Sequence, residues 1–109
     1  MDEVFKAMAD RTRRRLLDRL FESPAQTLSE LCAGLSMSRQ SVSKHLGILE
    51  AAGLVVTEWR GREKHHFLNP MPIAELSDRW IDKYSKARTD AIITLKRALE
   101  EKTHGKKRV

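Results

Sequence analysis

Near the start of the chain the apolar residues recur at three- and four-residue steps, a spacing that predicts helix. A break at Asp10 divides this series into two helical pieces, and either Asp10 or Thr12 caps the second. Pro24 ends the segment, because proline cannot continue a helix interior. The apolar positions of the series are Val4, Phe5, Met8, Leu16, Leu17, Leu20 and Phe21.

A short helix, a turn and a longer helix follow. Thr27 and Glu30 have the spacing of a capping box, which predicts the start of the short helix. Ser38 is a suitable N-cap for the longer helix, and Gly53 suits the left-handed position at which a helix ends. Residues 27–52 are therefore predicted to form a helix-turn-helix unit.

The next segment predicts a β-hairpin over residues 54–68. Its first strand is β-branched and apolar from Leu54 to Trp59, a tight turn follows at Gly61, and a second strand returns. Residues 73–102 contain no proline or glycine and carry a one-sided apolar stripe, which predicts a long helix, either unbroken or broken once.

This order of elements is the layout of a winged helix-turn-helix, with the hairpin as the wing. The predicted fold class is mainly α with a small β-hairpin, in the order α-α-α-α-β-β-α, and the fourth helix is the recognition helix. We expect residues 1–109 to form a single domain, because a chain of this length is enough for one modest domain and not for two.

The composition is that of a soluble domain, and it limits the cellular compartments in which the protein is expected. The chain is 40% apolar and 33% charged. No apolar run approaches the roughly 20 residues of a membrane span, and the N-terminus does not resemble a signal peptide. The single cysteine, Cys32, excludes an internal disulfide, so we expect a cytoplasmic protein. One cysteine and four histidines predict no metal cage, and no cofactor is expected.

The net charge of +6 suggests a polyanionic partner, but the distribution of the charge makes this weak support. Residues 27–69 hold five lysines and arginines against four acidic residues, whereas residues 70–109 hold ten against six. The charges on particular elements therefore say more about function than the net charge does.

The predicted recognition helix has an apolar face and a polar face. On a helical wheel, Leu46 and Leu49 lie within about 40° of Val42, and the polar residues lie on the flank or opposite side. Amide, cationic and hydroxyl groups are those that read base edges or bind phosphate. The edge residue His45 is either a phosphate ligand or part of the core margin. The predicted DNA contacts here are Ser38, Arg39, Gln40, Ser43, Lys44 and His45.

Three cations surround the turn of the predicted hairpin: Arg60, Arg62 and Lys64. Cations at a hairpin tip suit phosphate or minor-groove contact, which adds affinity without base specificity. The alternative is a charged surface turn that discourages edge pairing. Glu58 and Glu63 weaken the basic patch, and one of them could pair with a neighbour.

The apolar stripe of the last predicted helix is longer than a domain of this size covers by itself. A symmetric second copy is the simplest partner, and a homodimer places two recognition helices about one DNA turn apart. We therefore expect a pseudo-palindromic site in double-stranded DNA. The stripe residues assigned to the interface are Trp80, Tyr84, Ala87, Ala91 and Leu95.

Several stretches resemble the arsenical-resistance-repressor (ArsR) family of bacterial regulators, over nearly the whole chain. They are residues 4–17, 28–32, 37–46, 49–54 and 60–64, and the segment Ser43-Lys44-His45-Leu46 is specific to the family. The resemblance implies a dimeric repressor that leaves DNA when an inducer binds. It also implies an interface built from the terminal helices, here including Val4, Phe5 and Met8. Arg11 stands where the family commonly has proline, so we expect a slightly different helix start.

The sensor residues of the family are not matched. Arsenic-sensing members carry a cysteine cluster where this chain has only Cys32, and the last helix lacks the paired histidines of zinc- and nickel-type members. The resemblance is closest to metal-independent members. The alternatives are a metal- or thiol-responsive repressor that uses Cys32 and His104, and a winged helix that only binds proteins. No nucleophile–base pair, carboxylate pair or phosphate loop is present, so we expect no enzyme activity.

Overall fold

The computed structural model describes residues 1–84 and 86–107, and the side chains of residues 86, 87 and 103–107 lie outside the described part. Internal contacts divide the chain into two compact units, residues 1–74 and 75–109. The single domain expected over residues 1–109 stays a prediction. No helix in the described part is long and apolar enough to cross a membrane.

The first unit carries the predicted helices and hairpin in the predicted order. Its elements are α1 (Asp2–Met8), α2 (Arg11–Glu22), α3 (Leu28–Cys32), α4 (Arg39–Ala51), β1 (Val55–Arg60) and β2 (Glu63–Leu68). The fold class inferred from the sequence is confirmed.

Side-chain caps fix where the early helices begin, because they satisfy backbone N–H groups that the helix leaves free. Asp10, rather than Thr12, caps α2, since its Oδ1 accepts from the backbone N–H of Arg13 at 3.0 Å. This hydrogen bond holds the pKa of Asp10 below its ordinary value of 3.8. The predicted capping box of α3 is present, with Thr27 and Glu30 each accepting from the other's backbone N–H at 3.3 Å.

The core of the first unit forms where the apolar faces of the helices meet the hairpin. Burying one leucine stabilises the fold by about 1.5–3 kcal/mol. The five-residue α3 is too short to be stable alone, so its buried Leu31 holds it in place. Three apolar side chains fix one face of α4 in the same core, which leaves its opposite face to solvent. The largest fully buried side chains are Leu16, Leu20, Leu31, Val42, Leu49 and Leu54.

The hairpin is a two-stranded antiparallel sheet tied to the loop before α3. Arg60 pairs with Glu63, so Gly61 and Arg62 form the turn, where Gly61 has φ +65°. At the other end, the backbone N–H of His66 donates to the Gln26 carbonyl oxygen at 2.9 Å, and His66 Nδ1 donates to the same oxygen at 2.9 Å. The wing therefore has a fixed base and an exposed tip.

The predicted long C-terminal helix is interrupted. α5 covers Met71–Leu76, a π-helical turn covers Ser77–Ile81, and α6 covers Lys86–Lys107. In the π-helical turn the backbone N–H of Asp82 donates to the Ser77 carbonyl oxygen at 2.8 Å, a step of five residues instead of the four of an α-helix. Of the two alternatives, the broken helix is the one observed.

Candidate nucleic-acid interface

The outward face of α4 presents polar side chains that have no partners in the part of the chain that the structure describes. Gln40, Ser43 and Lys44 are exposed, and none has a side-chain hydrogen bond or ion pair within the described part of the chain. With Leu28 and Arg39 they line a shallow groove of about 400 Å³. Because the opposite face of α4 is fixed in the core, these three side chains are held at the surface.

Ser38 and Arg39 position the start of α4. The predicted N-cap is confirmed, since Ser38 Oγ accepts from the backbone N–H of Ser41 at 3.1 Å. Arg39 Nη1 donates to Ser29 Oγ at 2.8 Å. This hydrogen bond joins α4 to α3 across the turn, and it uses only part of the donor capacity of the guanidinium group.

His45 lies at the margin of the core, with its side chain 18% exposed. Its Nδ1 lies 3.2 Å from Nη1 of Arg13 and 3.9 Å from Oδ1 of Asp10. In the first contact an unprotonated Nδ1 must accept a hydrogen bond from the guanidinium, and in the second Nδ1 must carry a proton, so the shorter distance favours the Arg13 contact. Arg13 also donates to the carbonyl oxygens of Ala7 and Lys6 at 2.9 and 3.0 Å. His45 therefore lies at the core margin, and Arg13 is the residue that holds its side chain there.

The three wing cations have different surroundings. Arg60 lies 3.6 Å from Glu58, and Lys64 Nζ lies 3.2 Å from the carboxylate of Glu50 on α4. Arg62, at the exposed tip, has no side-chain partner among the side chains that the structure describes. Of the three wing cations, Arg62 is therefore the one least engaged by other described side chains.

A cleft of about 420 Å³ lies between α4 and the wing, within the first unit. Arg39 and Ser43 line both this cleft and the shallow groove on α4, so the two form one continuous surface. Trp59 and Arg62 line the wing side of the cleft. The polar face of α4 and the tip of the hairpin, distant in the sequence, are thus brought to one surface.

The N-terminal residues assigned to a dimer interface differ in their exposure. Val4 is only 7% exposed and belongs to the core of the first unit, so it has little surface to give a partner. Phe5 is 49% exposed. Met8 is half-buried and lines an apolar groove of about 360 Å³ together with Phe21, which is itself 74% exposed.

The C-terminal residues of the same assignment are largely at the surface of the second unit. Tyr84 and Leu95 are each 56% exposed, Trp80 is 37% exposed, and Ala91 is exposed as well. The side chain of Ala87 lies outside the described residues.

The candidates for metal or thiol chemistry are Cys32 and His104. Cys32 is half-buried at the end of α3. Within the part of the chain that the structure describes, no three side chains of histidine, cysteine, aspartate or glutamate lie close enough to hold a metal ion. The side chain of His104 lies outside that part.

Sequence reasoning missed the residues that hold the predicted contacts in place. Ser29, Glu50 and Arg13 act on partners 10 or more residues away, and no local pattern connects them. Trp59 could have been found, because strand alternation from the buried Val55 places it on the face of the hairpin that turns toward the core.

The known proteins that this chain is similar to are transcriptional regulators. The model of a family described as helix-turn-helix domain matches residues 8–58. The uncharacterized HTH-type transcriptional regulator YuzN of Bacillus subtilis (strain 168) is 40% identical over 87 residues, which cover 74% of this chain and 95% of that protein. The transcriptional repressor SdpR of the same strain is 35% identical over 69 residues, covering 63% and 76%. The structure of an ArsR-like transcriptional regulator from Rhodococcus sp. RHA1 matches with a TM-score of 0.71 at 29% identity, covering 92% and 90%.

The recognition helix, the wing and these likenesses define a winged helix-turn-helix transcriptional regulator, a class of DNA-binding proteins that are not enzymes. Within that class the chain belongs to the ArsR family. The resemblance read from the sequence is confirmed, as is the expectation of a regulator instead of an enzyme.

Proposed function

We propose that the protein is a homodimeric repressor that binds a pseudo-palindromic operator with α4 in the major groove. The observation that carries the proposal is the outward face of α4, where Gln40, Ser43 and Lys44 are exposed and lack partners in the described part of the chain. A helix that is fixed on one side and offers amide, hydroxyl and ammonium groups on the other meets the requirements for reading bases. The likeness to the repressor SdpR supports repression as the outcome.

Each side chain of this face has a role that its chemistry supports. Gln40 can bond adenine through both ends of its amide, Lys44 can donate to guanine or phosphate, and Ser43 can contact either. Arg39 keeps donors for DNA while it is held by Ser29. His45 serves as a positioning residue, since its Nδ1 is engaged with Arg13.

In this proposal the wing adds affinity that does not depend on sequence. Arg62 makes the main phosphate contact of the wing, because it is the wing cation without a side-chain partner in the described residues. Arg60 contributes less because it lies on the face of the hairpin opposite the cleft, and Lys64 contributes less because a phosphate must compete with Glu50 for it. The proposed repressor acts on chromosomal DNA, so we infer that the protein is cytoplasmic.

Dimerisation is supported by apolar side chains that stay exposed on α6. Ile92 is 65% exposed, Leu95 56% and Leu99 57%, and their three- and four-residue spacing places them on one face of the helix. A second copy would bury such a stripe, and a two-fold dimer presents two recognition helices to two half-sites. Phe5 and the apolar groove beside Met8 are the N-terminal surface proposed for the same interface.

Fluorescence anisotropy with a labelled duplex from the region upstream of the protein's own coding sequence tests the reading helix. Gln40→Ala should lose about 1–3 kcal/mol of binding free energy on this duplex and almost none on an unrelated duplex of equal length. The unrelated duplex is the control for phosphate contact. Affinity that is absent for both duplexes at low salt would instead favour a protein-interaction module.

Sedimentation velocity tests the dimer. Leu95→Asp places a charge in the exposed α6 stripe and should shift the protein toward a monomer, with weaker binding to the upstream duplex. Arg97→Asp changes charge at an exposed position on the opposite face of α6 and is the matched control. An unchanged sedimentation coefficient for Leu95→Asp would contradict the proposed interface.

A further inference from the structure

Trp59 is a large aromatic side chain left at the surface of the wing. It is 66% exposed, although it lies on the same face of the hairpin as Val55 and His66, which are 2% and 4% exposed. Near the base of the hairpin this face packs into the core, and near the tip it extends beyond the core. An indole usually buries much of its surface, so its exposure here needs a cause.

The cleft beside α4 is the space into which this face of the wing opens. Lys64 is the cross-strand partner of Trp59 and reaches Glu50 of α4 at 3.2 Å, which shows that this face turns toward α4. Trp59 lines the cleft together with Ser43 and Arg62, both predicted DNA contacts. An exposed indole therefore lies between the reading face of α4 and the tip of the wing.

We propose that Trp59 is itself a DNA contact, whose indole packs on the sugar–phosphate backbone that runs through the cleft. This inference rests on the proposed function, because it requires α4 in the major groove and Arg62 on a phosphate. The strand of DNA between those two contacts must then pass the side chains that line the cleft. The flat apolar ring suits the deoxyribose, and Nε1–H, which can only donate, suits a phosphate oxygen.

A contact of this kind does not read bases, so its loss affects all sequences alike. Trp59→Ala should weaken binding to the upstream duplex and to an unrelated duplex by a similar factor, about tenfold for each of the two wings of the dimer, the scale of one aromatic contact with nucleic acid. Trp59→Phe keeps an apolar ring and loses the N–H, so it should fall between the wild type and Trp59→Ala.

The matched control is Val56→Ala. Val56 is an exposed apolar residue of the same strand, 49% exposed, but it lies on the opposite face of the hairpin. Anisotropy titrations of both duplexes at equal salt should place Val56→Ala within about twofold of the wild type. Melting temperatures by circular dichroism, followed for all three variants, show whether the hairpin remains folded.

Intrinsic fluorescence gives a readout that does not depend on affinity. The chain has two tryptophans, so Trp59→Phe retains Trp80 alone. Emission of the wild-type protein should change as DNA saturates it and acrylamide quenching should fall, and both effects should disappear in Trp59→Phe. Persistence of these changes in Trp59→Phe would overturn the inference.

Two further outcomes separate this inference from the proposed function. If the wild type binds DNA and Trp59→Ala binds both duplexes within about twofold of it, the inference fails while the proposed function stands. If the wild type binds neither duplex, both fail. A change in sedimentation of Trp59→Ala without DNA would assign Trp59 to a contact between protein copies and would also overturn the inference.

Discussion

Removing one guanidinium from the tip of the wing is the most direct test of which cations meet DNA. Arg62 and Arg60 flank Gly61, so Arg62→Ala and Arg60→Ala delete the same group two residues apart. Arg62 lines the cleft beside α4 and is exposed. Arg60 lies on the other face of the strand, over the ring of Phe67 at 5.6 Å and 3.6 Å from Glu58.

The direction in which Arg60 points decides the expected difference more than its ion pair does. The side chains of Arg60 and Glu58 are 51% and 60% exposed, and a pair as open as this contributes less than about 1 kcal/mol. A phosphate could displace Glu58 at that cost. Strand alternation, however, places Arg60 on the face of the hairpin opposite the one that carries Trp59 and faces α4.

The magnitude follows from counterion release. Each phosphate contact contributes about 0.9 to the slope of log affinity against log salt, which at about 0.15 M salt amounts to fivefold, or about 1 kcal/mol. A dimer has two wings, so Arg62→Ala should make this negative slope shallower by about 2 and lower the affinity roughly 30-fold, on any sequence. Arg60→Ala should change the slope by less than about half as much.

Anisotropy titrations of both variants at several salt concentrations, on the upstream duplex and on an unrelated one, measure these slopes. Equal slopes for Arg62→Ala and the wild type would refute the assignment of Arg62 to phosphate. A larger loss for Arg60→Ala than for Arg62→Ala would show that the outer face of the hairpin, and not the cleft face, meets DNA.

Three further predictions concern stability. The lowered pKa of Asp10 contributes stability that is fully present above its ordinary value of 3.8 and that is lost as pH falls through the lowered value. Asp10→Asn should therefore reduce the fall of the urea-unfolding free energy at acidic pH. Superimposable pH curves for the variant and the wild type would count against this cap. Leu31→Ala, at a fully buried position, should lower the unfolding free energy by about 2–5 kcal/mol in urea titrations, and a loss below 1 kcal/mol would contradict the core. Gly53→Ala should lower the melting temperature because φ there is +77° and an L side chain costs about 1–2 kcal/mol. Gly47→Ala, inside α4 with nothing within 4 Å of the added Cβ, should raise it, and equal signs for the two glycines would refute the argument.

Much of the fold followed from rules that act within a few residues. Thr27 with Glu30, Ser38 and Gly53 each mark a helix end through contacts no more than four residues away, and each lies where the sequence predicted it. The apolar stripe of α4 also selected its inward face, so the outward set was known before the structure. The choice of Asp10 over Thr12 as the cap, and the interruption of the last helix, were decided by the tertiary structure.

Tertiary packing decided which of the predicted contact residues are available to a partner. Ser29 takes part of Arg39, Glu50 takes Lys64, and the Arg13 side chain holds His45 from 32 residues away. The sequence determined the residue types on the reading helix and the wing, because helix and strand periods assign faces locally. It could not show that Gln40, Lys44 and Arg62 have no partner among the described side chains or that Trp59 faces α4, because a side chain's partners depend on which distant elements the core brings beside it.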